Sequence, residues 1–78
     1  MTNIKIYTTP WCAFCKMAKE YFQSKGWAFQ DFNVMEDLKA RDEMVSKSGQ
    51  LAVPVIDING KIIVGFDRGK IDAAAAAS

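Results

Sequence analysis

Asn59 and Gly60 stand between two apolar, β-branched runs, Pro54-Val55-Ile56-Asp57-Ile58 and Lys61-Ile62-Ile63-Val64. An Asn-Gly pair accepts positive φ at both central positions of a two-residue turn, and that turn's twist matches the twist of the strands it joins. The pair therefore commits the C-terminal half of the chain to an antiparallel hairpin, against which the remainder must pack. Upstream, residues 3–7 alternate through Ile4, Lys5, Ile6 and Tyr7 as a first strand, broken by Thr8-Thr9-Pro10. From residue 12 to about residue 25, Phe14, Met17, Ala18, Tyr21 and Phe22 recur at helical spacing, with Gly26 placed to close the helix. Met17, Tyr21 and Phe22 are assigned to the core. Residues 27–34 alternate again, with Trp27, Phe29 and Asp31 on one side, and their aromatic and β-branched content predicts a second strand. Residues 36–47 predict a second helix, acidic at its start, carrying Leu38, Ala40, Met44 and Val45 and closed by Ser48-Gly49. Asp67 is the expected N-cap of a last helix through Ile71 and the alanines of 73–77.

The element order is β-α-β-α-β-β-α. A strand, helix and strand in succession imply a parallel right-handed crossover, and the hairpin adds an antiparallel pair. The expected architecture is an α/β domain spanning residues 1–78: one mixed four-stranded sheet flanked by three helices. A chain of 78 residues buries only about 60% of its unfolded surface, so nearly every large side chain is needed in the core. No apolar stretch reaches the ~18 residues of a membrane span. A net charge of +1 gives no field that would draw nucleic acid or an anionic membrane. Met1-Thr2-Asn3-Ile4-Lys5 lacks the basic-then-apolar layout of a secretory signal, so a cytoplasmic monomer is expected.

The chemistry lies in Trp11-Cys12-Ala13-Phe14-Cys15-Lys16, which holds both cysteines of the chain. As a staple the pair is poor, because closing a four-residue loop stabilises by only about 2 kcal/mol. A redox switch or half of a metal site fits the spacing better. A helix starting near Cys12 directs unpaired N–H groups and the positive end of its dipole at the first sulfur, favouring thiolate. Lowering a thiol pKa from ~8.5 to ~7 takes about 2 kcal/mol, more than the ~0.3–1 kcal/mol of the dipole. Amide hydrogen bonds and Lys16 would have to supply the rest. Residues three apart inside a helix hold their Cβ atoms ~5–6 Å apart, while a disulfide needs ~3.8 Å. Cys12 must therefore sit at or before the helix start, exposed, with Cys15 in the first turn and more buried. That division makes Cys12 the attacking sulfur and Cys15 the resolving one. The chain has no histidine, so proton transfer falls to water, a cysteine or a carboxylate.

Other residues join the candidate site. Ala52-Val53-Pro54 opens the third strand, where a proline's missing donor does no harm. A cis Val53-Pro54 bond would offer Val53's backbone groups to a substrate chain beside Cys12, whereas a trans bond would merely start a strand. Trp11 and Phe14 flank the sulfurs, either as an apolar rim for partner chains or as ordinary packing. Gly65 would let the backbone approach closely enough for Phe66 to line the site. Residues 1–25 carry a net +3, from Lys5, Lys16, Lys19 and Lys25 against Glu20. Most of that charge reads as a solvated helix face.

The strand-C-x-x-C-helix start, the Gly49-Gln50-Leu51-Ala52-Val53-Pro54 stretch and the Asn59-Gly60 hairpin resemble glutaredoxins and their short glutaredoxin-like relatives over essentially the whole chain. The resemblance implies a thioredoxin fold, a cis proline at Pro54, and dithiol–disulfide exchange by Cys12 and Cys15 without a cofactor. Trp11, Ala13, Phe14, Val53, Pro54, Gly65 and Phe66 are the expected surface that meets disulfide-containing proteins. Where glutathione-using members carry Arg-Thr before Val-Pro, this chain has Leu51-Ala52. Thr9 stands where they commonly carry a basic residue, and Gly65-Phe66-Asp67-Arg68-Gly69 replaces their Gly-Gly-x-x-Asp. Gly65-Phe66 is similar instead to the redoxins that serve ribonucleotide reductase and draw electrons from thioredoxin reductase. Trp11 and Lys16 are similar to thioredoxin, whose buried Asp six residues before the first cysteine is here Ile6. Thioredoxin reductase and glutathione are thus both candidate donors. A dimer sharing the cysteines around zinc or an iron–sulfur cluster is the alternative, since zinc wants four ligands and one chain supplies two sulfurs.

Overall fold

The computed structural model describes residues 3–76. Met1 and Thr2 of the N-terminal reading, and Ala77 of the last helix, lie outside the described residues. Seven elements follow the expected order: β1 (Ile4–Thr8), α1 (Ala13–Ser24), β2 (Phe29–Asn33), α2 (Leu38–Ser48), β3 (Val55–Ile58), β4 (Lys61–Val64) and α3 (Arg68–Ala76). The sheet order is β2-β1-β3-β4. β1 pairs parallel with β2, Ile6 opposite Asp31, and antiparallel with β3, Ile6 opposite Ile56. Asn59 and Gly60 turn β3 into β4 with φ of 52° and 90°, the positive-φ pair that the turn requires. Asn59 also donates its N–H to the Asn3 carbonyl and accepts the Asn3 N–H on its side chain, tying the hairpin to the start of β1.

Strand alternation divides the core between the two faces of the sheet. Ile4 and Ile6 of β1, Ile56 and Ile58 of β3 and Ile63 of β4 pack against Ala18 and Phe22 of α1 and Ile71 and Ala74 of α3. Tyr7 and Val55 point the other way, onto Val34 and onto Ala40 and Met44 of α2. β3 is buried along its whole length, as a strand covered on both faces must be. Its one charged residue, Asp57, is held by Lys47 at 2.8 Å and by the Gly60 N–H at 2.8 Å.

Three details differ from the sequence reading. Trp27 is not in β2. α1 ends in a paired motif, Gly26 N–H to the Gln23 carbonyl and Trp27 N–H to the Phe22 carbonyl, with the Trp27 ring 6.3 Å from Phe22. Trp27 is thus spent on closing the helix, including its usual apolar contact. The acids expected at the start of α2 precede it: Asp37 is the N-cap, accepting the Ala40 N–H at 3.0 Å. Met17, assigned to the core, is 47% exposed, and Leu38 is also exposed. The α1 face that meets the sheet is the row Cys15, Ala18 and Phe22; Phe14 and Met17 lie on the neighbouring row, turned toward solvent.

Candidate functional site

Cys12 is the N-cap of α1, in extended backbone, and its Sγ accepts the Cys15 N–H at 3.1 Å. One of the helix's unpaired amides is therefore aimed at this sulfur, where a carboxylate or hydroxyl oxygen normally caps. The Cys12 N–H is tied back to the Thr9 carbonyl at 3.3 Å, and the Cys12 carbonyl accepts the Lys16 N–H at 3.2 Å. Cys15, the third residue of the helix, is buried at 1% exposure, whereas Cys12 is half-buried. The two are joined as a disulfide with Cα atoms 5.2 Å apart, inside the ordinary range. The extended N-cap backbone makes this possible, because two positions inside one helix would hold the sulfurs too far apart.

The sulfurs open onto a cleft of about 300 Å³ lined by Thr8, Thr9, Pro10, Lys16, Lys19, Asp31 and Asn33. Its far wall is polar and tied together: the Thr8 hydroxyl donates to Asp31 at 2.6 Å, and Lys19 pairs with Asp31 at 2.9 Å. Thr8 is buried, Lys19 half-buried and Asp31 more open. Among the described residues no cluster of three or more His, Cys, Asp or Glu is placed to hold a metal ion.

The remaining sequence-predicted residues do not line this cleft. Trp11 is 81% exposed and Phe14 61%, so neither packs into the core; Ala13 between them is exposed as well. The Val53-Pro54 bond is cis. Pro54 is buried, its carbonyl accepting the Gly65 N–H at 2.8 Å, and Val53 packs on the Tyr7–Met44 side of the sheet. Gly65, at φ 87°, holds a conformation that side chains disfavour. Phe66 turns toward α1, edge-on to Tyr21 at 6.0 Å. With Met17, Glu20, Ser24 and Arg68 these two rings line a separate groove of about 480 Å³. Thr8, Lys19 and Asp31 were not singled out as site residues from sequence. The available signals were the four-residue step from Cys15 to Lys19 and the shared parity of Phe29 and Asp31, neither of which reveals that the two elements meet.

A buried cysteine sulfur bonded to a half-exposed one at a helix N-cap, on a β-α-β-α-β-β-α fold with a cis proline before β3, defines a thioredoxin-fold protein with a C-x-x-C pair. The glutaredoxin family profile matches residues 4–63. The glutaredoxin-like 8.6 kDa protein of the rubredoxin operon of Clostridium pasteurianum is 56% identical over 69 residues, covering 88% of this chain and 92% of that protein. Glutaredoxin 3 of Escherichia coli K12 is 39% identical over 67 residues, covering 86% and 81%. The crystal structure of a glutaredoxin from Archaeoglobus fulgidus superposes with a TM-score of 0.85 at 23% identity, covering 95% of this chain and 86% of that one, a likeness of fold. The chain belongs to the glutaredoxin family, and it is a thiol-disulfide oxidoreductase.

Proposed function

We propose that this protein reduces disulfides in other proteins, with Cys12 as the nucleophile and Cys15 as the resolving thiol. The Cys12 thiolate attacks one sulfur of the substrate disulfide, forming a mixed disulfide and releasing the other sulfur as thiolate. Cys15 then gives up its proton and attacks Cys12 Sγ, which closes the internal disulfide and releases the second substrate thiolate. Two electrons have moved from the pair to the substrate. The carrying observation is the asymmetry at the helix start: the half-exposed sulfur receives the Cys15 N–H and the dipole, and its partner is 1% exposed.

Trp11, Ala13 and Phe14 are proposed to meet the substrate chain, with Val53, Pro54, Gly65 and Phe66 completing the surface. The exposure of Trp11 and Phe14 supports this reading, since large exposed apolar groups at a site commonly serve docking. The donor proposed is thioredoxin reductase. Thr9, Leu51 and Ala52 carry no charge for a glutathione peptide, and Leu51 is 74% exposed. The protein is proposed to act as a one-domain monomer in a reducing cytoplasm, where a labile dithiol can cycle. The test compares reduction of the oxidised protein by thioredoxin reductase and NADPH with reduction by glutathione and its reductase. Faster reduction by the first is expected, and equal or faster turnover with glutathione would overturn the choice of donor. In parallel, pre-reduced Cys15→Ser should accumulate mixed disulfides with the disulfide-containing proteins of an oxidised lysate; accumulation by Cys12→Ser instead would reverse the two roles.

A further inference from the structure

Among the described residues, Asp31 is the one carboxylate lining the sulfur cleft. Alternation along β2 puts Phe29, Asp31 and Asn33 on one face, and Phe29 packs against the α1 side of the core. Asp31 therefore faces α1, and Lys19, four residues beyond Cys15, faces back. Their 2.9 Å contact and the 2.6 Å bond from the buried Thr8 hydroxyl fix the carboxylate in the cleft that the sulfurs line. The charged groups around the pair are few. α1 contributes Lys16, Lys19 and its positive N-terminal end, β2 contributes Asp31, and the other polar lining groups, Thr8, Thr9 and Asn33, are neutral. Lys5, Glu43, Lys47 and Asp57 belong to the opposite face of the sheet, around Tyr7. Two ammonium groups and one carboxylate leave room for a single thiolate at neutrality.

We infer that Asp31 is a positioning residue for the redox step: it offsets Lys19 and thereby limits how far the cleft stabilises the Cys12 thiolate. This inference rests on the proposed role of Cys12 as attacking thiolate. A strongly stabilised thiolate favours the reduced form and makes a dithiol pair a poorer reductant. With Asp31 in place the pair keeps its electrons loosely enough to pass them to substrate disulfides. Removing the carboxylate leaves both lysines uncompensated, so the thiolate gains stability. Removing Lys19 instead leaves Asp31 unopposed beside the sulfur, and the thiolate loses it.

The two substitutions must therefore act in opposite directions, which a merely structural ion pair would not do. A partly exposed pair of this kind adds little to folding stability, so both variants should fold. Thiolate absorbance at 240 nm against pH, read in the Cys15→Ser background, reports Cys12 alone. Asp31→Asn should raise the Cys12 ionisation constant about threefold, which by the 29.6 mV per tenfold of a two-electron couple makes the potential of the dithiol protein about 14 mV more positive. Lys19→Met should lower the ionisation constant and make the potential more negative. Shifts in the same direction for both variants, a downward change for Asp31→Asn, or no measurable change in either would overturn the inference. Failure of the underlying reading is distinguishable: Cys12 would then titrate as an ordinary thiol in the Cys15→Ser parent and trap no partner, whatever Asp31 does.

Discussion

Lys47 sits at the centre of the only charged cluster that crosses from α2 to the sheet among the described residues, and its removal should be costly. Its Nζ contacts Asp57 at 2.8 Å, Glu43 at 3.1 Å and the Tyr7 hydroxyl at 3.1 Å, and the Tyr7 hydroxyl in turn donates to Glu43. The contacts differ in weight. Asp57 has only 12% of its side chain exposed, Glu43 has 42%. Lys47→Met keeps the aliphatic stem but leaves the Asp57 side chain with a single remaining partner among the described residues, the Gly60 N–H. Breaking a fully buried pair costs ~3–5 kcal/mol and an exposed one ~0–1. The burial of Asp57 places this loss at about 2–3 kcal/mol, with the Glu43 pair adding a few tenths. With a urea m-value of ~1 kcal/mol/M for a small domain, the unfolding midpoint should fall by about 2–3 M. Asp57→Asn in the Lys47→Met background should recover part of the loss, because the uncompensated charge is gone. Burial pulls the Lys47 pKa down, but its bonds to Asp57, Tyr7 and Glu43 outweigh burial and raise it above the ordinary lysine value. A raised folded pKa means that this stabilisation is complete below the unfolded pKa of ~10.4 and is lost as pH rises through the folded value. Lys47→Met should therefore flatten the alkaline limb of the stability curve. A midpoint change below about 0.5 M, or no recovery with Asp57→Asn, would refute the assignment of weight to this cluster.

Other predictions concern the acid limb, the core and the rim. Glu43 has its pKa lowered by the Tyr7 hydroxyl bond first and by Lys47 second, so its contribution is present above the unfolded pKa and lost as pH falls through the folded one; Glu43→Gln should reduce the steepness of acid unfolding followed by circular dichroism. Phe22 is fully buried among Ile4, Ile6 and Ile56, and Phe22→Ala should cost about 3–5 kcal/mol in urea unfolding, enough to leave so small a domain barely folded. Trp11→Ala should change stability by less than about 0.5 kcal/mol, since the side chain is 81% exposed. The same variant should slow reduction of a protein disulfide while leaving reduction of a small-molecule disulfide near wild type.

Much of the fold was legible because local signals agreed. Asn59-Gly60 placed the hairpin, β4 has the bounds the apolar run implies, and Gly26 and Gly49 close the two helices where expected. Periodicity failed at Met17 for a definable reason. α1 carries two adjoining apolar rows, Phe14-Met17-Tyr21 and Cys15-Ala18-Phe22, and spacing alone does not say which faces the sheet. Trp27 read as strand because aromatic content looks the same in a strand and in the residue that closes a helix. The C-x-x-C pair announced the reactive pair and even its asymmetry, since disulfide geometry forbids both cysteines from lying inside the helix. What lay beyond reach were the groups brought together across the chain: Thr8 with Asp31 and Lys19, and Tyr7 with Glu43, Lys47 and Asp57. Those contacts depend on strand register and on which helix covers which face, and each residue read alone is a polar group on an amphipathic element.

The proposed mechanism and the role assigned to Asp31 both require that the two sulfurs ionise unequally. That requirement is tested most directly by treating the fully reduced protein at neutral pH with limiting iodoacetamide and mapping the alkylated cysteine by peptide mass. The half-exposed sulfur that receives the Cys15 N–H should carry nearly all of the label, with Cys15, at 1% exposure, modified only after unfolding. Equal labelling of the two, or preferential labelling of Cys15, would contradict the account.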